Sequence, residues 1–346
     1  MVKRLVLRAA KMLGLFAVSR RLTRRGLRIL CYHGIWLGDG HFGDYLFMRP
    51  ETFRARVRRI RELGYPVLAL DDAIARLEAG TLPPCATVIT IDDGWYGSYR
   101  HMVDALAAER LPATLYACTY YIQNQRPVFT VAVNYVVATA RVRALDLDAL
   151  IPGDAGGTAN LDDPRAADRA VDRVIAYGEG LAADADRQEL LRRLGASLGA
   201  DVGALADSRI VGLMSEDELR DAAAKGLDVQ LHTHRHRFPR EAAALEREIV
   251  DNRAALEPLV GRPMNHLCYP SGDYDRTAWP LLSRLGIRSA TTTERGFNHA
   301  GTPPLALKRL IDGEVVEPIE FEAELSGFTE LIRRLRHRRG PVVSAG

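Results

Sequence analysis

Cysteine is scarce in this chain of 346 residues, and its pattern is uninformative. Cys31, Cys85, Cys118 and Cys268 form no C-x-x-C pair, so there is no zinc-knuckle signature and nothing that demands an oxidising compartment. Cys31, Cys118 and Cys268 sit inside strand-like runs, where cysteine behaves as a small buried hydrophobe. No internal repeat or low-complexity tract is present, which excludes a solenoid. The N-terminal stretch lacks a long apolar run: the stretch without charge from Met12 to Ser19 is far too short to span a bilayer. It also lacks acid. Residues 1–28 hold nine Lys or Arg and no Asp or Glu, so with a net charge of +3 for the whole chain the remainder is net −6. A mildly acidic body with a basic tail argues against a general nucleic-acid binder.

What is there suits one large or two modest globular domains, with 47% hydrophobic and 26% charged residues to build and solvate a core. On a helical wheel, residues 2–17 separate into two faces. Lys3, Arg4, Arg8 and Lys11 share one face, and Val2, Leu5, Val6, Met12, Leu13 and Phe16 the other. A basic amphipathic helix of this kind either lies in a membrane interface, with cations on anionic headgroups, or docks on the protein's own surface, and the sequence leaves both open. Arg8 and Lys11 interrupt any secretory apolar region despite the cleavage-like Ala17-Val18-Ser19, so a cytoplasmic protein, peripheral on the inner membrane face, is expected.

From Arg28 onward, strand and helix patterns alternate. Strands are expected at 28–33, 67–70, 87–91 and 113–118, with helices at 51–63, 71–79 and 99–109. Residues from about 127 to 210 break the alternation and read as a helical insertion, with helices over 131–140 and 187–198 and a Gly-rich break at 153–157. Alternation resumes at Ser215, where Ser215 and Glu218 form a capping box. Strands at 228–231, 266–269, 288–293 and 306–311 follow, with helices at 241–259, 277–285 and 319–338. Six to eight such units suggest a (β/α) barrel or a doubly wound sheet. The chemistry-bearing residues favour the barrel: His33, Asp92, Asp93, His232 and Pro270 all follow or end strands, and in a barrel the C-terminal ends of the strands converge on one mouth.

Two fragments carry the chemistry. Thr90-Ile91-Asp92-Asp93-Gly94 offers adjacent carboxylates, and His232-Thr233-His234-Arg235-His236 offers imidazoles at i and i+4. One carboxylate with two histidines is a three-ligand set that leaves a metal position open for water. The spare carboxylate can act as general base on that water. Asp-Asp-Gly alone is equally a turn. Three histidines in five residues, in a chain with nine, are harder to read as a bland loop. A third fragment, Tyr269-Pro270-Ser271-Gly272, makes a rigid turn whose N–H groups could receive an oxyanion.

Taken together and in this order, the three fragments resemble the motifs of polysaccharide deacetylases of the NodB-homology class, carbohydrate esterase family 4. Thr-Ile-Asp-Asp-Gly resembles the first motif, with Ile91 in place of Phe. His232 to His236 resembles the second, and Tyr269 to Gly272 is similar to a variant of the third. The resemblance runs from about Ile29 to about Ile311. It implies a distorted (β/α)7-type barrel over 28–340, with the helical insertion and the N-terminal amphipathic segment (1–27) added. It implies Asp93, His232 and His236 as ligands of one divalent metal ion, zinc first, with cobalt, nickel or iron admissible. It implies Asp92 as the base, Thr233 as a loop-orienting hydrogen-bonding residue, and Tyr269, Pro270 and Ser271 as the substrate and oxyanion turn. His234 falls at a variable position.

Two departures stand out. The third motif's arginine, which tethers the base, falls on Cys268. Arg309 in the last strand is the candidate replacement, against a surface ion pair as the plain alternative. No late leucine-histidine motif supplies the acid, and His337 lies in an arginine-rich helix whose cations (Arg333 to Arg339) read as a solvated face. His33, in Leu30-Cys31-Tyr32-His33-Gly34, resembles the opening of the permuted exopolysaccharide-deacetylase branch, which makes it the expected acid, with His299 in reserve. The implied activity is removal of an N-acyl group from an amino sugar in a polysaccharide or lipid-linked saccharide. Alternatives are a glycan-binding homologue without catalysis, or an amidohydrolase-type metal enzyme. An amidohydrolase would carry its His-x-His on the first strand, and here the histidines come late.

Overall fold

The computed structural model describes residues 2–39, 47–153, 155–181 and 183–338. Seven parallel strands close into a barrel: β1 (Arg28–Tyr32), β2 (Thr87–Asp93), β3 (Thr114–Ala117), β4 (Asp228–Leu231), β5 (His266–Cys268), β6 (Ser289–Arg295) and β7 (Leu307–Ile311). Each strand neighbours the next in sequence, and β1 closes the ring by pairing with both β2 and β7. Parallel neighbours need long crossovers, which the intervening segments supply. β1, β2 and β3 are buried along their whole length, as both faces of a barrel wall require. Register is continuous from Arg28↔Thr87 to Tyr32↔Ile91 and from Thr90↔Thr114 to Asp93↔Ala117. It slips only between Thr291 and Arg295, where β6 meets β7.

The expected strand at 67–70 is reduced to a single bridge from Val67 to Thr87, because Leu70 is already the first residue of the helix Leu70–Ala79. The helix expected at 99–109 begins at Tyr96 and contains a π turn over Tyr99–Val103. The capping box forms as written: Ser215 Oγ accepts from the Glu218 N–H, and the Glu218 carboxylate accepts from the Ser215 N–H.

The described residues of Tyr121–Leu213, with Leu37–Asp39, form a separate compact unit. Its helices Phe129–Ala138, Pro164–Gly180 and Asp184–Leu198 pack through Phe129, Val174, Leu190 and Leu194. Gly178 is required there, since a Cβ would meet the Phe129 ring at 2.3 Å. An antiparallel pair, Ala144–Asp146 with Thr158–Asn160, brackets the Gly-rich break that the sequence shows only as a loop.

The N-terminal helix is two helices, α1 (Val2–Met12) and α2 (Leu15–Leu22), broken at Gly14, whose φ of 74° is left-handed. Leu7, Ala10 and Phe16 pack on Ala323, Ile319 and Phe328 of the C-terminal helices Pro318–Leu325 and Phe328–Arg338. Lys3, Arg4 and Lys11 turn toward the protein, at 2.8 Å from Glu320, 3.0 Å from Glu317 and 2.6 Å from Glu322. These contacts follow the reading in which the helix docks on the protein's own surface, and only Arg8 of the four cations makes no ion pair among the described residues. Arg333 and Arg334 are likewise paired, with Glu324 and Glu330, rather than merely solvated. The His337 side chain and Arg339 lie outside the described residues. No described helix is long and apolar enough to cross a membrane.

Candidate active site

β2 ends with two carboxylates aimed differently. Asp92 continues the strand into the barrel. Asp93 has a left-handed φ of 73°, which swings its side chain away from the strand's alternation and toward the mouth.

Asp92 is 2% exposed and held by Arg309 in a two-pronged pair, with Nη1 2.7 Å from Oδ1 and Nη2 2.8 Å from Oδ2. Arg309 is itself 1% exposed, and its Nε donates to the Thr292 carbonyl. The surface-pair alternative for Arg309 is therefore excluded. Burial alone would raise the Asp92 carboxyl, but the Arg309 guanidinium, with help from His33, outweighs it and holds the group at about 2. The Cys31 and Cys268 thiols approach Asp92 Oδ2 at 3.6 and 3.5 Å. These two buried cysteines are thus weak donors to a carboxylate, a role beyond the filler expected from sequence. His33 Nε2 lies 3.7 Å from the same oxygen.

The second carboxylate faces the histidines. His232 Nδ1 donates to the Cys268 carbonyl at 2.8 Å, which leaves Nε2 as an acceptor pointing at Asp93 Oδ1, 3.1 Å away. His236 Nε2 is 3.5 Å from the same oxygen. The other Asp93 oxygen accepts from Trp95 Nε1 at 2.8 Å. Burial pushes the Asp93 carboxyl up; with no cation at the site and the imidazoles protonated, a hydrogen bond from His232 and the charge of His236 outweigh burial and hold the carboxyl well below the usual range. Two imidazole lone pairs and a carboxylate oxygen converging on one point are mutually repulsive unless a positive charge lies among them. That donor set, with ligand atoms all within 4.8 Å, fits a divalent cation. Cys118 belongs to the same cluster, yet burial pushes its thiol well up and it donates to the His232 carbonyl at 3.5 Å, so it fits as a neutral wall.

The loop carrying the histidines is shaped by left-handed Thr233 (φ 61°) and His236 (φ 56°). Thr233 Oγ1 accepts from the Arg237 N–H. Asn252, in the helix Ala242–Val260, accepts from the His232 N–H and donates to the Ala117 carbonyl and Thr119 Oγ1, each at 3.0 Å. His234 turns away to Thr119 Oγ1 at 2.7 Å. In the third turn the Tyr269 N–H is bonded to the Thr291 carbonyl and its hydroxyl to the Leu305 carbonyl, while Pro270 has no N–H. Of the three predicted oxyanion residues, only left-handed Ser271 (φ 55°) can offer a backbone donor. His299 is excluded as the acid: it follows Asn298, which bridges Leu27 at the opposite end of β1 from His33, and it contacts Arg334. Trp95 and Asn252 were missed in the sequence. A polar Asn on the apolar face of a helix was the one signal available.

The closed barrel of parallel strands has the NodB-like fold, and the polysaccharide deacetylase family model matches residues 188–290, less than a third of the chain. That match spans the histidine loop and the third turn, while the barrel brings Asp92, Asp93, His33 and Arg309 to them. Solved structures share the fold. The Streptococcus pyogenes deacetylase PplD in complex with acetate aligns with a TM-score of 0.57 at 16% identity, over 87% of this chain and 98% of that one. IcaB from Ammonifex degensii aligns with a TM-score of 0.55 at 17% identity, over 87% and 97%. A de-N-acetylase from Aggregatibacter actinomycetemcomitans aligns with a TM-score of 0.53 at 12% identity, over 86% and 99%. No curated protein sequence matches the chain.

Proposed function

We propose that the protein removes N-acyl groups, acetyl first, from amino sugars of a glycan, using one divalent cation held by Asp93, His232 and His236. The observation that carries this reading is the division of labour between adjacent carboxylates: Asp93 faces two imidazoles, and Asp92 is locked by Arg309. Zinc is the proposed ion, with cobalt, nickel or iron admissible for such a donor set. When bound, it supplies Lewis acidity that acidifies water and polarises the acyl carbonyl. Asp92 accepts the proton of the attacking water, and Arg309 holds both its oxygens in one orientation. The Ser271 N–H donates to the carbonyl oxygen as negative charge develops there. His33 protonates the leaving amine nitrogen, which would otherwise depart as a poor anion. Products are the free amino sugar and a short carboxylate.

The substrate in this reading is a lipid-linked or nascent saccharide at the cytoplasmic membrane face. Its support is the set of tail arginines, Arg8, Arg21, Arg24 and Arg25, that are exposed and make no ion pair among the described residues. The test is acyl release from N-acetylglucosamine oligomers by protein stripped of metal and then resupplied with zinc or cobalt. Metal-dependent acetate that disappears in Asp92→Asn supports the reading. Stoichiometric metal with no release from any N-acyl glycan points to a binding homologue, and absence of bound metal overturns the proposal.

A further inference from the structure

The outward faces of α1 and α2 have no part in that chemistry and are left uncovered among the described residues. Val2 is 74% exposed, Met12 82% and Leu13 75%, and Leu5 and Val6 are more than half exposed. In α1 the buried Leu7 and Ala10 and the paired Lys3, Arg4 and Lys11 share one side, and this apolar stripe occupies the other. A surface helix ordinarily turns its apolar stripe to its own core. Here three ion pairs hold the helix down and the stripe faces solvent. In α2 the pattern repeats: Phe16 and Ser19 are buried, while Leu15, Val18 and Leu22 are exposed. The break at Gly14 sets Met12, Leu13 and Leu15 on an exposed elbow.

The charge around this face bears on what it would bind. Arg8, Arg21, Arg24 and Arg25 are exposed and make no ion pair among the described residues. The first acid in the chain is Asp39. A second copy docking here would bring the same unpaired arginines together, whereas anionic headgroups neutralise them. We propose that the α1–α2 face docks on an anionic lipid surface, with Val2, Leu5, Val6, Met12 and Leu13 in the acyl boundary and the four unpaired arginines on headgroups. Lys3, Arg4 and Lys11 serve differently, tying the inserted helix to the catalytic barrel through Glu320, Glu317 and Glu322. This deepens the membrane part of the proposed function and does not depend on the deacetylase chemistry.

The test is co-sedimentation of the full chain with phosphatidylcholine vesicles, with and without phosphatidylglycerol, at low and high salt. Binding is expected only with phosphatidylglycerol, and it weakens with salt. Leu5→Glu with Met12→Glu, and separately Arg21→Gln with Arg24→Gln and Arg25→Gln, are each expected to weaken it about tenfold or more. Thermal melts and acyl release from a soluble oligomer stay unchanged, because none of these residues touches the site. Equal binding to both vesicles, or no binding, overturns the proposal. So does a concentration-dependent dimer that Leu5→Glu dissociates, which would show a second copy on the face. Failure of the deacetylase reading appears separately, as intact vesicle binding with no acyl release.

Discussion

At the scale of single residues, the two neighbouring aspartates should fail differently. Asp93→Ala is expected to abolish metal binding, measured by metal content. Asp92→Asn is expected to leave metal bound and lower turnover by about 10²–10⁴-fold, the range of a lost general base. Bound metal with full turnover would remove Asp92 from the mechanism. Trp95→Phe keeps an aromatic side chain, though a smaller one, and deletes the N–H that holds the far oxygen of Asp93. Outer-shell partners of this kind are worth about 10–100-fold in metal affinity, so a competition titration should show that weakening. Arg309→Lys removes the two-pronged grip and frees the Asp92 carboxyl to rise from about 2. The acidic limb of kcat/KM should therefore move to higher pH, and an unmoved limb would show that Arg309 does not set the base. Asp92, Asp93, His232 and His236 were legible because their motifs are local in sequence. The Arg309 grip was only a candidate, because the partners are 217 residues apart and meet through strand order alone.

At the scale of elements, the turn after β5 is the most constrained by geometry. A Cβ on Gly272 would lie 2.0 Å from Thr293 Oγ1, and the residue also has a φ of 73°. Gly272→Ala should cost about 1–3 kcal/mol from crowding and left-handed strain together, read by chemical unfolding. Adding Thr293→Ala should recover only part of the loss, since the backbone strain remains. Asn252→Ala in the helix Ala242–Val260 leaves the His232 N–H and the Ala117 carbonyl without their partner and is expected to cost about 1–3 kcal/mol. Most element positions were readable from apolar periodicity and caps. Three details were not: the π turn at Tyr99–Val103, the loss of the 67–70 strand, and the break of the N-terminal helix. Each depends on packing partners or on a single glycine, which periodicity does not register.

For the whole molecule, the buried Asp92–Arg309 pair links stability to acid. The folded Asp92 carboxyl, at about 2, lies below its unfolded value near 3.8. Its contribution is therefore fully present above about pH 4 and is lost as pH falls toward 2. Acid unfolding of Asp92→Asn should lack that component, and an identical acid transition in both proteins would refute the linkage. Metal binding to the folded state alone should also raise the melting temperature, and a chelator should lower it in a concentration-dependent way.

The sequence by itself determined the alternation of strands and helices, the identity of the carboxylate and histidine motifs, and the basic character of the tail, because each is written within a few neighbouring residues. Tertiary structure decided what those residues face. Strand order within a closed ring brought Arg309 to Asp92 and His33 beside it. Packing against the C-terminal helices turned three lysine and arginine side chains inward and left an apolar stripe outward. A helical wheel separates two faces by chemistry; only the surface the helix meets decides which face is covered.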